Sequence, residues 1–367
     1  MARALGVAFV GAMGLAGASE PTGFGSVELV VETELPLGGT GPRGWTLNEV
    51  SAIDYVPGRS ALFAMSDDRS ENGPARIAEI EVRFDGGVPH FGKLKWHALR
   101  TPGGAAFKRD TIDPEALRVV EYEHNVPVVV VASEGFARES ITSSLFKMKL
   151  DGSSSTEWLA PHQFMRDPGQ GPHGISHNRG FESLAIDPGR NNVRFYTTSE
   201  EPLRQDEPVR WTPEDPGILR VVEYSNGQPY VQYGFPLGPA SDDETPMTQA
   251  LAELVTVAPR VMLALENAKG DDGKGRARLS WTTVDGATDI RSIRSLRESD
   301  LDGHHLMPKV PLVDFEDLGL SSNADDWEGM TLGPMIGGRR SLLVCEDNGG
   351  EGPNRLIVLL LPVGIEG

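Results

Sequence analysis

Short apolar runs, separated by turn-forming Gly, Pro, Asn and Asp, recur along the whole chain and predict strands throughout. In Glu182-Ser183-Leu184-Ala185-Ile186-Asp187 a carboxylate stands at the head of such a run, and the design returns at Glu49, Glu115, Glu253 and Glu328. These lead glutamates are 66, 67, 71 and 75 residues apart. A near-constant period marks a repeated unit. In each unit a second apolar run follows a turn and ends in acid, at Asp67, Glu134, Glu200, Glu266 and Glu346. Their offsets from the lead glutamate are 18, 19, 18, 13 and 18.

Each unit reads as four strands. The first spans 50–56, 60–66, 76–84 and 89–98; the second 116–122, 127–133, 144–150 and 155–160; the third 182–187, 193–199, 217–224 and 229–236. The fourth gives 252–257, 260–266, 277–284 and an ill-defined outer strand within 286–316. The fifth gives 328–333, 341–345 and 355–361, and its missing strand is 26–35 from the N-terminal end. Four-stranded units repeated radially make an all-β propeller, and closing the ring with strands from both ends removes exposed sheet edges. Five blades are expected, with room for a sixth hidden in 286–320. The clearest helical signal is Ser292–Asp300, and 161–178 and 201–216 read as loops over one face.

Composition narrows the partners. Gly 43, Pro 27 and 24% charged residues fit a turn-rich globular chain, and a formal net charge of −19 argues against nucleic acid. Residues 1–18 read as a secretory signal, with Arg3, an apolar stretch from Ala4 to Leu15, and the small-residue site Ala16-Gly17-Ala18. The expected mature domain is 19–367, exported to the periplasm or medium, with no membrane span. Cys345 is the single cysteine, so no internal disulfide forms. Oligomeric state is not legible.

In a propeller the innermost strand starts at one mouth of the axis and the second strand returns to it. Glu49, Glu115, Glu182, Glu253 and Glu328 would ring the axis there, with Asp67, Glu134, Glu200, Glu266 and Glu346 in a wider ring. Two carboxylates about 7 Å apart repel by about 2–3 kcal/mol at an effective dielectric near 20. Protonation, arginine pairing or a hard cation must offset this. An all-oxygen donor set without Cys or His favours Ca²⁺. Arg69, Arg76, Arg138, Arg179 and Arg204 stand near the acids, either to pair with them or to grip an anionic substrate. The plain alternative is that the acids only tie blades together by accepting turn amides.

Several motifs resemble those of the phytase-like propellers, the esterase-like activity of phytase family. They are Asp113-Pro114-Glu115, Ala132-Ser133-Glu134-Gly135, Asn178-Arg179-Gly180-Phe181-Glu182, Ala252-Glu253-Leu254, Trp327-Glu328-Gly329 and Glu346-Asp347. The resemblance implies Ca²⁺-assisted hydrolysis of a small phosphate ester. Glu182, Glu134 and Glu328 would be the catalytic carboxylates, and Arg179, Arg69 and Arg138 the substrate holders. The metal ligands would come from Glu49, Asp67, Glu115, Glu134, Glu182, Glu200, Glu253, Glu328 and Glu346. Ala116 and Ser183 replace the glycine expected after the glutamate, and Glu266-Asn267-Ala268 departs from Glu-Arg-Asp, which weakens Glu266 as a ligand.

Two other classes stay open. One is a Ca²⁺-dependent lactonase or arylesterase using amides such as Asn178, Asn267, Asn323 and Asn348; the other is an exported scaffold with structural calcium. Serine-hydrolase chemistry lacks a G-x-S-x-G, and His162, His173 and His177 lack the H-E-x-x-H spacing of a zinc site. Gly39-Thr40-Gly41-Pro42-Arg43-Gly44 matches a dinucleotide fingerprint but runs on into strand, so it reads as a loop.

Overall fold

The structure is a computed structural model that describes residues 24–37, 42–47, 49–121, 127–136, 141–166, 169, 172–187, 193–208, 217–238, 247–270, 275–296, 301, 303–320, 327–347, 349 and 352–366. The expected signal (1–18), Arg138, Asn323 and Asn348 fall outside them.

Among the described residues, twenty strands form five four-stranded antiparallel sheets, each a blade. The first blade is β2 (Val50–Val56), β3 (Ala61–Ser66), β4 (Arg76–Asp85) and β5 (Val88–Ala98). The second is β6 (Pro114–Glu121), β7 (Pro127–Ser133), β8 (Ser144–Lys149) and β9 (Thr156–Leu159). The third is β10 (Ala185–Asp187), β11 (Arg194–Thr197), β12 (Ile218–Ser225) and β13 (Gln228–Pro236). The fourth is β14 (Met247–Ala258), β15 (Val261–Gly270), β16 (Gly275–Thr283) and β17 (Lys309–Asp314). The fifth is β18 (Trp327–Ile336), β19 (Arg339–Glu346) and β20 (Arg355–Leu360), completed by β1 (Glu28–Glu34).

Apolar side chains gather in five clusters, one at each seam between neighbouring blades. A blade is therefore covered on both faces, which is why runs such as Ala61–Ser66 are buried throughout instead of alternating. Removing this apolar surface from water is the main stabilising term.

Residues 286–320 hold the outer strand of the fourth blade, not a sixth blade. The helix expected from Ser292 is not formed at 292–296, and 297–300 lie outside the described residues. Its backbone groups are taken by side chains instead. Arg220 Nη2 donates to the Ile293 carbonyl at 2.9 Å, and the Leu296 amide donates to Asp206 Oδ1 at 2.7 Å. Asp206 and Arg220 are themselves a fully buried ion pair at 2.6 Å. The third inner strand is likewise shorter than expected, because the Leu184 amide donates to Glu253 Oε1 at 2.8 Å. No helix among the described residues is long and apolar enough to cross a membrane.

Candidate functional site: an acidic mouth

Strand register decides which acids meet. Val50 pairs with Ser66, Pro114 with Ser133, Phe181 with Ser199, Leu251 with Glu266 and Trp327 with Glu346. In the first, second, fourth and fifth blades the inner strand is irregular just past this pair. The residue after the pair on the inner strand is Ser51, Glu115, Glu182, Ala252 or Glu328. The residue after it on the second strand is Asp67, Glu134, Glu200, Asn267 or Asp347. These ten equivalent positions make the mouth. Glu49 stands two residues before the inner position, where the second blade has Asp113. Glu253, Glu266 and Glu346 are each displaced by one residue. In a strand, one residue reverses the side-chain direction.

Three acids expected in the rings are accordingly engaged elsewhere. Glu266 accepts from Lys309 Nζ at 2.8 Å, Ser280 Oγ at 2.9 Å and the Gly238 amide at 3.2 Å. Glu346 forms an ion pair with Arg355, whose guanidinium lies 5.0 Å from the centre of the Trp327 ring. Glu253 points down the axis to Arg118 Nη2 at 3.0 Å and is pushed up to about 7 by burial, against Arg118 and the Leu184 and Leu254 amides.

Arg118 is the plug of the axis. From the second blade it donates to the carbonyls of Ile53 (3.3 Å), Leu117 (2.7 Å), Leu254 (2.8 Å) and Met330 (3.0 Å), which belong to four different inner strands. Beside it, Asp54 accepts from the Val119 amide at 2.7 Å and Thr331 Oγ1 at 3.0 Å. No spacing argument pointed to Arg118.

Above the plug the remaining acids converge. Carboxylate oxygens of Asp113, Glu115 and Glu134 lie within 4.8 Å of one another, and so do those of Glu134, Glu182 and Glu200. Burial pushes Asp67 up to about 7, helped by the charges of Asp347, Glu49 and Asp113 and opposed by Arg69. Asp113 is raised by burial to about 6, with Arg69 the main opposing influence. Glu115, Glu134 and Glu182 are raised well above the carboxylate range, by burial first; the charges of Glu182 and Asp113 add at Glu115, those of Asp113 and Glu200 at Glu134, and those of Glu200, Glu134 and Glu328 at Glu182. Asp67 Oδ1, Asp113 Oδ2 and Glu134 Oε2 are buried with no hydrogen-bond partner among the described residues. A buried, unpartnered carboxylate oxygen calls for a proton or a cation. The donors are all hard oxygens, so the set fits a hard divalent ion.

The Asn-Arg-Gly-Phe-Glu motif shows why its residues are needed. Asn178 takes a left-handed turn (φ 58°), after which the chain passes from the partly exposed Arg179 to the buried Gly180 and Phe181. Arg179 clamps Glu200 at 2.6 Å and Glu201 at 3.0 Å. The Gly180 amide donates to Glu134 Oε1 at 3.0 Å, and a Cβ there would sit 1.9 Å from the Glu134 carbonyl oxygen, so no side chain fits. Phe181 fills the second seam against Phe164, and Glu182 then reaches the mouth.

Arg69 is the more available cation. Its side chain is 38% exposed, lies 4.0 Å from Asp113 Oδ2 and covers the Phe136 ring at 5.6 Å. Asn267, at the fourth blade's mouth position, donates to the Trp327 carbonyl at 3.0 Å. His173 is buried with Nδ1 at 2.9 Å from the Met165 carbonyl, which leaves it in the packing of its loop. Sequence reasoning passed over Asp113 and Asp347 as site residues. The first stands in the Asp-Pro-Glu motif and the second directly follows Glu346.

Among solved structures, the chain is similar to an endo-arabinase from Bacteroides thetaiotaomicron at 10% identity and TM-score 0.44, over 86% of this chain and 94% of that one. It is also similar to an α-L-arabinofuranosidase from Podospora anserina at 11% identity and TM-score 0.44, over 91% and 96%. At these values the likeness bears on neither substrate nor chemistry. No curated protein matches the sequence. A family model described as Phytase-like, esterase-like activity of phytase, matches residues 46–350. That span exceeds half of the 367 residues, and the chain belongs to the Phytase-like family.

Proposed function

We propose that the protein is an exported, Ca²⁺-dependent hydrolase of small phosphate esters acting at the acidic mouth. The observation that carries the reading is the convergence of Asp67, Asp113, Glu115, Glu134, Glu182 and Glu200 from three blades, three of them with buried, unpartnered oxygens. Asp113, Glu115 and Glu134, and Glu134 with Glu182 and Glu200, are the residues that would hold calcium. When bound, such an ion neutralises ester oxygens and makes a bound water more acidic.

The chain's own groups do the rest. Arg69, half-exposed at the rim, offers its guanidinium to an anionic ester oxygen. Arg179 is occupied by Glu200 and Glu201, so its part is to hold Glu200 in place. Arg118 closes the axis below the site, so substrate and product exchange through the mouth alone.

The test is a panel of phosphomonoesters, phosphodiesters, lactones and aryl esters, run on chelator-stripped protein and again with Ca²⁺. Phosphate-ester turnover that returns with Ca²⁺ and is lost in Glu134→Gln supports the reading. Lactone turnover alone would reject the phosphate chemistry, and metal-indifferent turnover would reject the metal. N-terminal sequencing of exported protein, expected to start near Ser19, checks the export part.

A further inference from the structure

We propose that the outer seam between the first and second blades is a binding site for an anionic saccharide, separate from the acidic mouth. A cavity of about 690 Å³ opens there, walled by Trp45 and Trp96 and by four cations, Arg59, Lys95, Arg100 and Lys149. Among the described residues, Asp151 is the one carboxylate in its lining. In a protein of net charge −19, a cleft with this surplus of positive charge is a local reversal of the field.

The position follows from topology. Arg59 follows the end of β2 and Lys149 ends β8, both away from the mouth, while Trp96 and Arg100 stand at the other end of the outer strand β5, so the cleft runs along the outer flank of the seam. The walls are set by packing. Gly152 turns at φ 77° so closely against the seam that a Cβ there would lie 2.4 Å from the Ala98 carbonyl and 3.0 Å from Arg100 Cγ. Glu79 braces the inner wall, contacting His97 Nε2 at 2.7 Å, Arg59 Nη2 at 3.0 Å and Lys95 Nζ at 3.6 Å. Asp151 faces Lys149 and Arg100, so four cations stand against two carboxylates and the cleft keeps a net positive charge. The two indoles meet edge to face, with centres 6.3 Å apart at 83°, and both are half-buried.

The chemistry names the ligand class. Indole rings offer flat apolar surface to the C–H face of a sugar ring, and guanidinium and ammonium groups take its carboxylate or sulfate. Neither half alone selects such a ligand. Together they favour a saccharide carrying acidic groups over a neutral sugar or a simple anion.

The experiment is calorimetric titration of the full protein with oligogalacturonate, with chondroitin sulfate oligosaccharide and with a neutral cello-oligosaccharide, at low and high salt. Two variants are compared, Arg100→Glu with Lys149→Glu, and Trp45→Ala. Losing charge-assisted contacts predicts at least about a tenfold weaker Kd in the charge variant, with weakening at high salt in the parent protein. Trp45→Ala should weaken binding while hydrolysis at the mouth is unchanged. Carboxylated and sulfated probes separate the two acid types, and binding of either supports the site. No binding of either, equal binding of the neutral oligosaccharide, or affinity unaffected by the charge reversal would overturn it.

Discussion

Arg118→Met tests the account of the axis most directly. The substitution removes the donors to four inner-strand carbonyls and leaves the Glu253 carboxylate, 1% exposed, without its 3.0 Å partner. Breaking a buried ion pair by deleting one partner costs about 3–5 kcal/mol. At about 2.1 cal/mol/K of unfolding entropy per residue, a domain of this size loses about 4–7 °C in Tm.

The loss also carries a pH signature. Glu253 already sits at about 7 in the folded protein, and without Arg118 it moves higher still, while the unfolded chain keeps an ordinary glutamate. A carboxyl raised on folding stabilises while protonated in both states, and that contribution fades as pH climbs through its folded value. The variant should therefore be hurt more near pH 8 than near pH 6. Adding Glu253→Gln should erase that difference while leaving the cost of the orphaned carbonyls. Scanning calorimetry of the three proteins at both pH values decides it. A drop of less than about 1 °C, or one independent of pH, would refute the plug, since the predicted change is several times larger.

Three further outcomes follow from the same geometry. Because burial and like charge raise Asp67 to about 7 and Asp113 to about 6, chelator-treated protein should lose stability as pH rises from the ordinary carboxylate range through neutrality. Ca²⁺ at about a hundred times its Kd should then restore about 2.7 kcal/mol, visible as a rise in Tm near pH 8. Gly180→Ala forces a Cβ against the Glu134 carbonyl; it should cost about 1–3 kcal/mol by thermal melting and weaken calcium binding by displacing the second-blade acids. Asp347→Asn should weaken calcium affinity measured by titration, whereas Glu346→Gln should lower Tm and leave that affinity unchanged, since Glu346 is held by Arg355 away from the mouth.

The blades were legible because each apolar run is bounded by its own turn, as Val128–Val131 is by the residues around it, and because the acids repeat with the runs. The composition of the site was harder to read. Glu253 and Ala252 differ by one step along the strand, as do Glu346 and Asp347. Counting residues between acids does not locate the irregular pairing that decides which of the two faces the mouth. The offsets of Glu134 and Glu200 survived because those acids directly follow the serine of the pair. Arg118 was invisible for a different reason. Its acceptors are main-chain carbonyls from four blades, and carbonyls leave no mark in a sequence.

The clasp of β1 against β20 has a bearing on how the protein is made. Glu28, on the first strand, meets Arg339 from 311 positions further along. During synthesis the first strand waits as an unsatisfied edge until the fifth blade arrives, and pairings so distant in sequence form slowly. A ribosome-bound chain can thus build separate blades yet cannot become a circle before its last strand is free.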